Sequence, residues 1–251
     1  MPLTNHPTGN YRFLPGIAPY SCGVIADAGY EIVHVKLAEP VPWRTGFDQA
    51  THFLAQRHRP KAALCAIELR SPRPFTFAGF SEFNQSYAQV LKEWEVFVDG
   101  VNPVARTNVA PELDPPAEPV LYGFSFTQPS APSTPPTFVV AGAGELPEGI
   151  LARQDIVALG DLSEQGLSAK ARFVVGLMQQ RLKGLGVDGS CPTALDVYTV
   201  HDVHRLIVDP LLQHLPAARR HGIQWHYTRP PIIDVEFEMD LRGVRTELVM
   251  D

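Results

Sequence analysis

A run of prolines near the middle of the chain is the strongest constraint on how it can fold. Between residues 111 and 136 stand Pro111, Pro115, Pro116, Pro119, Pro129, Pro132, Pro135 and Pro136. The stretch from Gln128 to Pro136 (QPSAPSTPP) has no apolar periodicity. Each proline fixes its own φ and removes a backbone donor, so this stretch reads as a stiff, extended linker. It splits the 251 residues into two parts of similar length. A linker at the midpoint invites a search for an internal repeat.

The two parts show the same succession of periods. In the first, residues 30–38 (YEIVHVKLA) read as a strand, and Phe47, Ala50, Phe53 and Leu54 place an amphipathic helix over 44–58. Residues 61–70 form a second strand. Phe80, Phe83, Tyr87, Val90, Leu91 and Trp94 predict a second helix, and residues 104–109 and 120–127 supply two more strands. In the second part, 137–141 is an apolar strand. A helix over 163–185 carries Ala171, Val174, Val175, Met178, Leu182 and Leu185 on one stripe, with Gly186 as its C-terminal cap. Residues 193–200 are a strand, and a helix over 202–215 is interrupted at Asp209-Pro210, where the proline starts a new turn. Residues 232–241 alternate strictly, with Ile233, Val235, Phe237, Met239 and Leu241 on one face and the acids Asp234, Glu236, Glu238 and Asp240 on the other.

Each part therefore predicts an α+β unit, a mixed sheet with two helices on one face. The expected division is a first unit over 1–127, a linker over 128–136 and a second unit over 137–251. The sheet face without helices would stay partly apolar. Sheet-to-sheet burial and a homo-oligomer, a trimer or a pseudo-trimeric assembly, are expected from it.

Composition removes several function classes. The net charge of −6 leaves no basic face to displace counterions, so nucleic acid is not an expected partner. No stretch reaches the ~20 apolar residues of a membrane helix, and the start of the chain lacks a secretory pattern, so a cytoplasmic location is expected. Cys22, Cys65 and Cys191 are scattered and odd in number, which fits a reducing compartment. No CxxC pair occurs, and His201, His204, His214, His221 and His226 offer no convincing ligand spacing, so no metal is expected. Gly142 and Gly144 lack the pattern of a dinucleotide turn.

Three motifs carry a family resemblance. Ala18-Pro19-Tyr20-Ser21-Cys22-Gly23-Val24 is similar to the opening G-P-Y-S-x-A-V of RidA/YjgF proteins. Asn84-Gln85-Ser86-Tyr87 resembles their N-x-x-Y on the second helix, and Val104-Ala105-Arg106-Thr107-Asn108-Val109 resembles their P-A-R-S-x-V strand. More loosely, Val140-Ala141-Gly142-Ala143-Gly144 is similar to the family's V-S-G-Q strand end, and Phe237-Glu238-Met239 to its closing V-E-I-E-A strand. The resemblance implies a chorismate mutase-like fold with ligand sites between units. It implies cofactor-independent hydrolysis of a carboxylated enamine, through its imine, to a 2-keto acid and ammonia. Substrates of the 2-aminoacrylate or 2-aminomuconate type fit. Arg106 would hold the substrate carboxylate, Tyr20 and Asn84 would line the pocket, and Glu238 would position water or move protons. Elementary chemistry agrees: a guanidinium binds a carboxylate bidentately, and a carboxyl group can serve as acid and base.

The first part departs from the pattern at Val35-Lys36-Leu37, where a Ser-Gly is expected, and its closing strand lacks a Glu. The second part has no P-A-R motif; Arg229 is its reserve cation. Three readings stand open: a composite site joining Tyr20, Asn84 and Arg106 to Gly142 and Glu238, one dead pocket per chain, or altered chemistry. Each residue also has an ordinary use, Arg106 as a strand residue paired with Glu112 or Asp114, Glu238 on a solvated acidic face. Two rival functions remain: a chorismatase-like hydrolase on the same fold, and a keto-acid-binding protein without turnover.

Overall fold

The structure, a computed structural model, describes residues 2–131 and 135–251. In chain order its elements are β1 (Thr4–Asn5), β2 (Tyr11–Leu14), β3 (Gly23–Ala26), β4 (Tyr30–Pro42), α1 (Trp43–Gln56), β5 (Leu64–Arg70) and α2 (Phe77–Glu93). There follow β6 (Ala105–Pro111), β7 (Val120–Pro129), β8 (Phe138–Gly144), α3 (Glu164–Leu185) and β9 (Ala194–Tyr198). The last are α4 (His204–Leu206), α5 (Ala218–His221), β10 (Gln224–His226), β11 (Thr228–Arg229), β12 (Glu238–Gly243) and β13 (Thr246–Met250).

The fold is α+β, with two mixed sheets. One has six strands in the order β11-β6-β5-β7-β4-β13, the other seven in the order β1-β2-β3-β8-β12-β9-β10. Strand membership crosses the proline-rich stretch in both directions. The N-terminal β1, β2 and β3 join the sheet built by the second half, while β11 and β13 edge the sheet built by the first. Gln128 and Pro129 of the expected linker end β7, and residues 132–134 lie outside the described residues.

Helices cover the outer faces. Trp43, Phe47, Phe53 and Leu54 of α1 and Phe83, Tyr87 and Leu91 of α2 pack on Val35, Leu64, Phe124 and Phe126 of the six-stranded sheet. The Thr76 side chain starts α2 by accepting from the Gly79 amide. On the other sheet, Val174, Met178, Leu182 and Leu185 of α3 pack on Val140, Leu195, Met239 and Leu241. Ser163 caps the start of α3, and Gly186 ends it at φ 80°. The inner faces meet through Tyr11, Phe13, Val24, Ile32, Ala66, Ala105 and Ala141. Much of the sheet-to-sheet burial expected between copies is thus made within one chain.

One element differs from the sequence reading, while the break expected at Asp209-Pro210 is present. The alternating run 232–241 is a strand only from Glu238 onward. Before it the chain turns, with the Val235 amide bonded to the Ile232 carbonyl and Asp234 at φ 71°. The amides of Glu236 and Phe237 are captured by the Glu145 carboxylate rather than by a neighbouring strand. The acidic face is not solvated either, because Glu238 and Asp240 are buried. The 202–215 helix is broken into α4 and a further turn at Asp209, whose φ of −138° and ψ of 119° are extended.

The inner layer also carries charge. Arg242 donates to Asp196 at 2.5 Å, and His226 stands 2.8 Å from the other Asp196 oxygen. Burial alone would raise the Asp196 pKa, but the His226 hydrogen bond and the Arg242 charge outweigh it and hold the carboxylate at about 2. Asp196→Asn removes the buried counter-ion of Arg242 and leaves it only the half-exposed Glu247, at 2.9 Å, so a loss of roughly 3–5 kcal/mol is expected in urea unfolding at neutral pH. A depressed carboxylate stabilises above its ordinary value. The difference between wild type and variant therefore shrinks as pH falls from about 4 toward about 2; a gap that does not narrow overturns the assignment.

Candidate active site

A cavity open to solvent lies where the two sheets meet near the N-terminus of β12. Tyr20, Arg106, Gly142 and Glu238, four of the six residues singled out from the sequence, line it together. They come from both halves. Asn84 is buried on α2 with its Oδ1 unpartnered among the described residues, and it is not part of the lining. Arg229 lies elsewhere. It sits on β11 and donates to both oxygens of Glu112, at 2.6 and 3.2 Å, which satisfies it at the surface.

The opening motif is fixed in place by its own backbone. The Ser21 amide donates to the Val104 carbonyl and its hydroxyl to the Pro103 carbonyl. Asn102 donates to the Pro19 carbonyl at 2.7 Å. The segment is thereby stitched to the start of β6, and Tyr20 is brought over Arg106. The Arg106 guanidinium lies 4.6 Å from the Tyr20 ring centre, 4.7 Å from Tyr87 and 5.5 Å from Phe80. These rings are cation–π neighbours, not counter-ions. No carboxylate pairs directly with Arg106 among the described residues, and its Nη1 is buried without a partner. Burial lowers its pKa, an effect Tyr20, Tyr87 and Glu238 oppose, and a guanidinium stays cationic at neutral pH. A buried cation without an anion is costly, and a carboxylate is the kind of group that a guanidinium there could bind.

Glu238 faces it from β12. Burial and the nearby Asp240 push its pKa well above the ordinary carboxylate value, against the pull of Arg106. Gly142 makes room for it: a Cβ there would collide with Glu238 Oε1. The local cause is a bulge. Met239 and Leu241 of β12 are paired with Ala143 and Val140 of β8, so Ala141 and Gly142 together oppose Asp240.

Among the lining residues with polar side chains, the sequence reading did not single out Cys22, Asn108, Glu148 and Arg181. Arg181 on α3 donates from Nη1 to the Ala141 carbonyl at 2.8 Å and to the Gly142 carbonyl at 3.3 Å. Its Nε donates to Glu148 at 2.6 Å, and the Cys22 thiol donates to the other Glu148 oxygen at 2.9 Å. Burial alone would raise Glu148, but Arg181 and the Cys22 hydrogen bond hold it below its ordinary value. Burial pushes the Cys22 thiol up to about 12, so it stays protonated. Asn108 accepts from Ser71, leaving its Nδ2 without a partner among the described residues. Of these, Arg181 was visible in principle. It stands seven residues after Val174, on the apolar stripe of its helix, where a lone cation has a reason to be. No group of three or more metal-ligating side chains is gathered among the described residues; His201 bonds Glu236 and His204 bonds Asp202.

The chain matches the profile of the family described as 2-aminomuconate deaminase CnbZ over residues 3–248. It belongs to the CnbZ family. A relative in this family range, the 2-amino-5-chloromuconate deaminase of Comamonas testosteroni, is 40% identical over 244 residues, 96% of each chain. A crystal structure of a chorismatase superposes with a TM-score of 0.50 at 11% identity, covering 89% of this chain and 77% of that one. At that identity the likeness shows the fold alone. Among the described residues, no helix of this CnbZ-family chain is long and apolar enough to cross a membrane.

Glu238 depends on a buried pair behind it. Lys170 of α3 donates to Glu145 at 3.1 Å and to the Val157 carbonyl at 2.9 Å, with both charged side chains fully buried. Glu145 in turn fixes the amides just before Glu238. Lys170→Met strands a buried carboxylate, and a loss of roughly 3–5 kcal/mol in denaturant unfolding is expected. Adding Glu145→Gln should restore part of it, because the second change removes the stranded charge. Strictly additive losses would show that the two groups do not act as a pair.

Proposed function

We propose that this chain hydrolyses the enamine or imine of a 2-aminomuconate-type acid, releasing ammonia and leaving a 2-keto acid. One observation carries the reading: a buried Arg106 without a counter-ion shares a cavity with Glu238, a carboxyl group whose surroundings favour its protonated form. Membership of the CnbZ family and the RidA/YjgF-like motifs support it.

The chemistry follows from the two groups. Arg106 binds the carboxylate next to the amino-bearing carbon, with the Tyr20 ring behind it. Glu238, as the acid, gives its proton to the enamine β-carbon. The C=C electron pair takes that proton, and the nitrogen lone pair forms the iminium. Glu238, now a carboxylate, takes a proton from a water molecule that attacks the iminium carbon. Glu238, again protonated, gives its proton to the amino group of the carbinolamine, which leaves as ammonia while Glu238 takes up the hydroxyl proton, leaving the ketone. Enamine plus water gives keto acid plus ammonia, with no redox change. An iminium is already electrophilic, so positioning and local charge supply most of what is needed. A cytosolic setting goes with this reading, since Cys22 serves as a free thiol bonded to Glu148. We also retain the homo-oligomer as part of the proposal.

Two variants test it. Arg106→Ala should lower kcat/KM for 2-aminomuconate about a hundredfold, the worth of one strong charge-assisted pair. The readout is ammonia release in a coupled assay. A folded wild-type protein that binds the substrate yet releases no ammonia would favour the binding-protein alternative. For Glu238 the sign is fixed by its raised pKa: the acid form persists above the usual carboxylate range and is lost as pH rises through the folded value. The wild-type rate should fall on the alkaline side, and Glu238→Gln should lose both that limb and about 10²-fold or more in kcat. An alkaline limb unchanged in the variant assigns it to another group.

A further inference from the structure

We infer that Arg181 is the anchor for a second carboxylate, and that Glu148 occupies that anchor until a dicarboxylate ligand displaces it. The inference rests on the deaminase reading for its substrate class, and it names the part of the cavity that selects a diacid over a monoacid.

Three observations carry it. First, the cavity holds two buried guanidiniums in different states. Arg106 has no counter-ion, whereas Arg181 is bonded to Glu148 through Nε alone. Its Nη1 is spent on the bulge carbonyls of Ala141 and Gly142. The Nε edge is the one Glu148 holds, with the Cys22 thiol also within reach of the guanidinium, and both Glu148 and Arg181 line the cavity. The bulge therefore fixes the guanidinium plane and leaves one edge for a carboxylate.

Second, Glu148 is held as a ligand would be. It sits on the cavity wall between β8 and α3, taking one hydrogen bond from Arg181 and one from the Cys22 thiol. A thiol is a weak donor, so the stronger half of its binding is a charge that a substrate carboxylate can take over. Its segment is a loop tied at its base and turned at its tip, where the Ile150 amide donates to the Pro147 carbonyl. Glu145 is locked by Lys170 and receives the Val157 amide on its carbonyl, while Ile150 and Leu151, both partly exposed, sit at the mouth. Glu148 can leave Arg181 without disturbing either anchor.

Third, both guanidiniums act on the same groups. Tyr20 and Glu238 each feel the charges of Arg106 and Arg181, so the reacting carbon near Glu238 lies within the field of both. A rod-like diacid with a carboxylate at each end matches two such cations better than one carboxylate can.

The test uses stable analogues of equal length, so that it does not depend on turnover. Calorimetric titration with 2,4-hexadienedioate and with 2,4-hexadienoate gives the diacid preference as a ratio of Kd values. In the wild type the diacid should bind at least about tenfold tighter, as one further charge-assisted contact implies. Arg181→Gln should bring the ratio toward one. Glu148→Gln should raise it severalfold, because a neutral amide competes less for Arg181. A ratio that survives Arg181→Gln in a protein with a wild-type-like melting profile overturns the inference, as does a ratio that falls in Glu148→Gln. If Arg181→Gln fails to fold, the Glu148→Gln titration decides alone. The same wild-type protein is assayed for ammonia release from 2-aminomuconate. No release together with an intact, Arg181-dependent preference sinks the deaminase reading and leaves the subsite standing; release without such a preference does the reverse.

Discussion

The bulge that sets Ala141 and Gly142 of β8 against the single residue Asp240 of β12 is the point on which the site depends. A regular ladder would pair every carbonyl at this point with the next strand. The bulge turns two of them toward α3, where Arg181 collects both. The same irregularity sits beside a residue without a side chain, Gly142, and the vacated space is filled by the Glu238 carboxyl. A buried cation and a buried acid are thus brought to one place by one break in strand pairing. Bulges next to functional sites are common because they re-aim side chains without unfolding a sheet.

The composite nature of the cavity follows from the way the two halves exchange strands. β3 pairs with β8, so the segment before it, carrying Tyr20 and Cys22, is carried to the second half's sheet. Its Ser21 meanwhile bonds the start of β6, in the first half's sheet. That segment is the clamp between the sheets, and Arg106 and Glu238 lie on either side of it. The first half supplies Arg106, and the second supplies Glu238. The absence of a Glu in β7 and of a P-A-R strand in the second half becomes intelligible: each half gives what the other lacks.

Much of this was legible in the sequence. The periods placed α1, α2, α3 and most strands, because long amphipathic stretches are decided locally. Tyr20, Arg106, Gly142 and Glu238 were named from motifs and share the cavity. What could not be read was set by tertiary partners. Ile232 to Phe237 alternates like a strand, yet the Glu145 carboxylate takes the amides of Glu236 and Phe237 and bends the chain. Alternation records which side chains face inward, not where the amides bond. Arg229 looked available until Glu112 was found 117 residues away in sequence and beside it in space. Glu148 lies in a stretch without periodicity, and nothing local distinguishes it from a surface acid.

The inner layer also explains how a carboxyl group can stay protonated here. Glu238 and Asp240 project from the same face of β12, two residues apart, into the space between the sheets. Both are raised chiefly by burial, and Asp240 adds to the rise at Glu238. Two neighbouring carboxylates cannot both ionise cheaply in such a place. Thr107 and Tyr198 donate to Asp240 at 2.6 and 2.9 Å, and Arg242 lies close enough to favour its charge. Glu238 has no comparable donors among the described residues, only the distant pull of two guanidiniums. Asp196 and Glu68 oppose a charge at Asp240, so burial and like charge favour the proton at both carboxyl groups, and Glu238 is the one of the two that lines the cavity. Arg106 is the cation that most lowers Glu238, and in the proposed reaction a substrate carboxylate would offset that charge, so binding would raise Glu238 further and hold its proton in place until the enamine takes it.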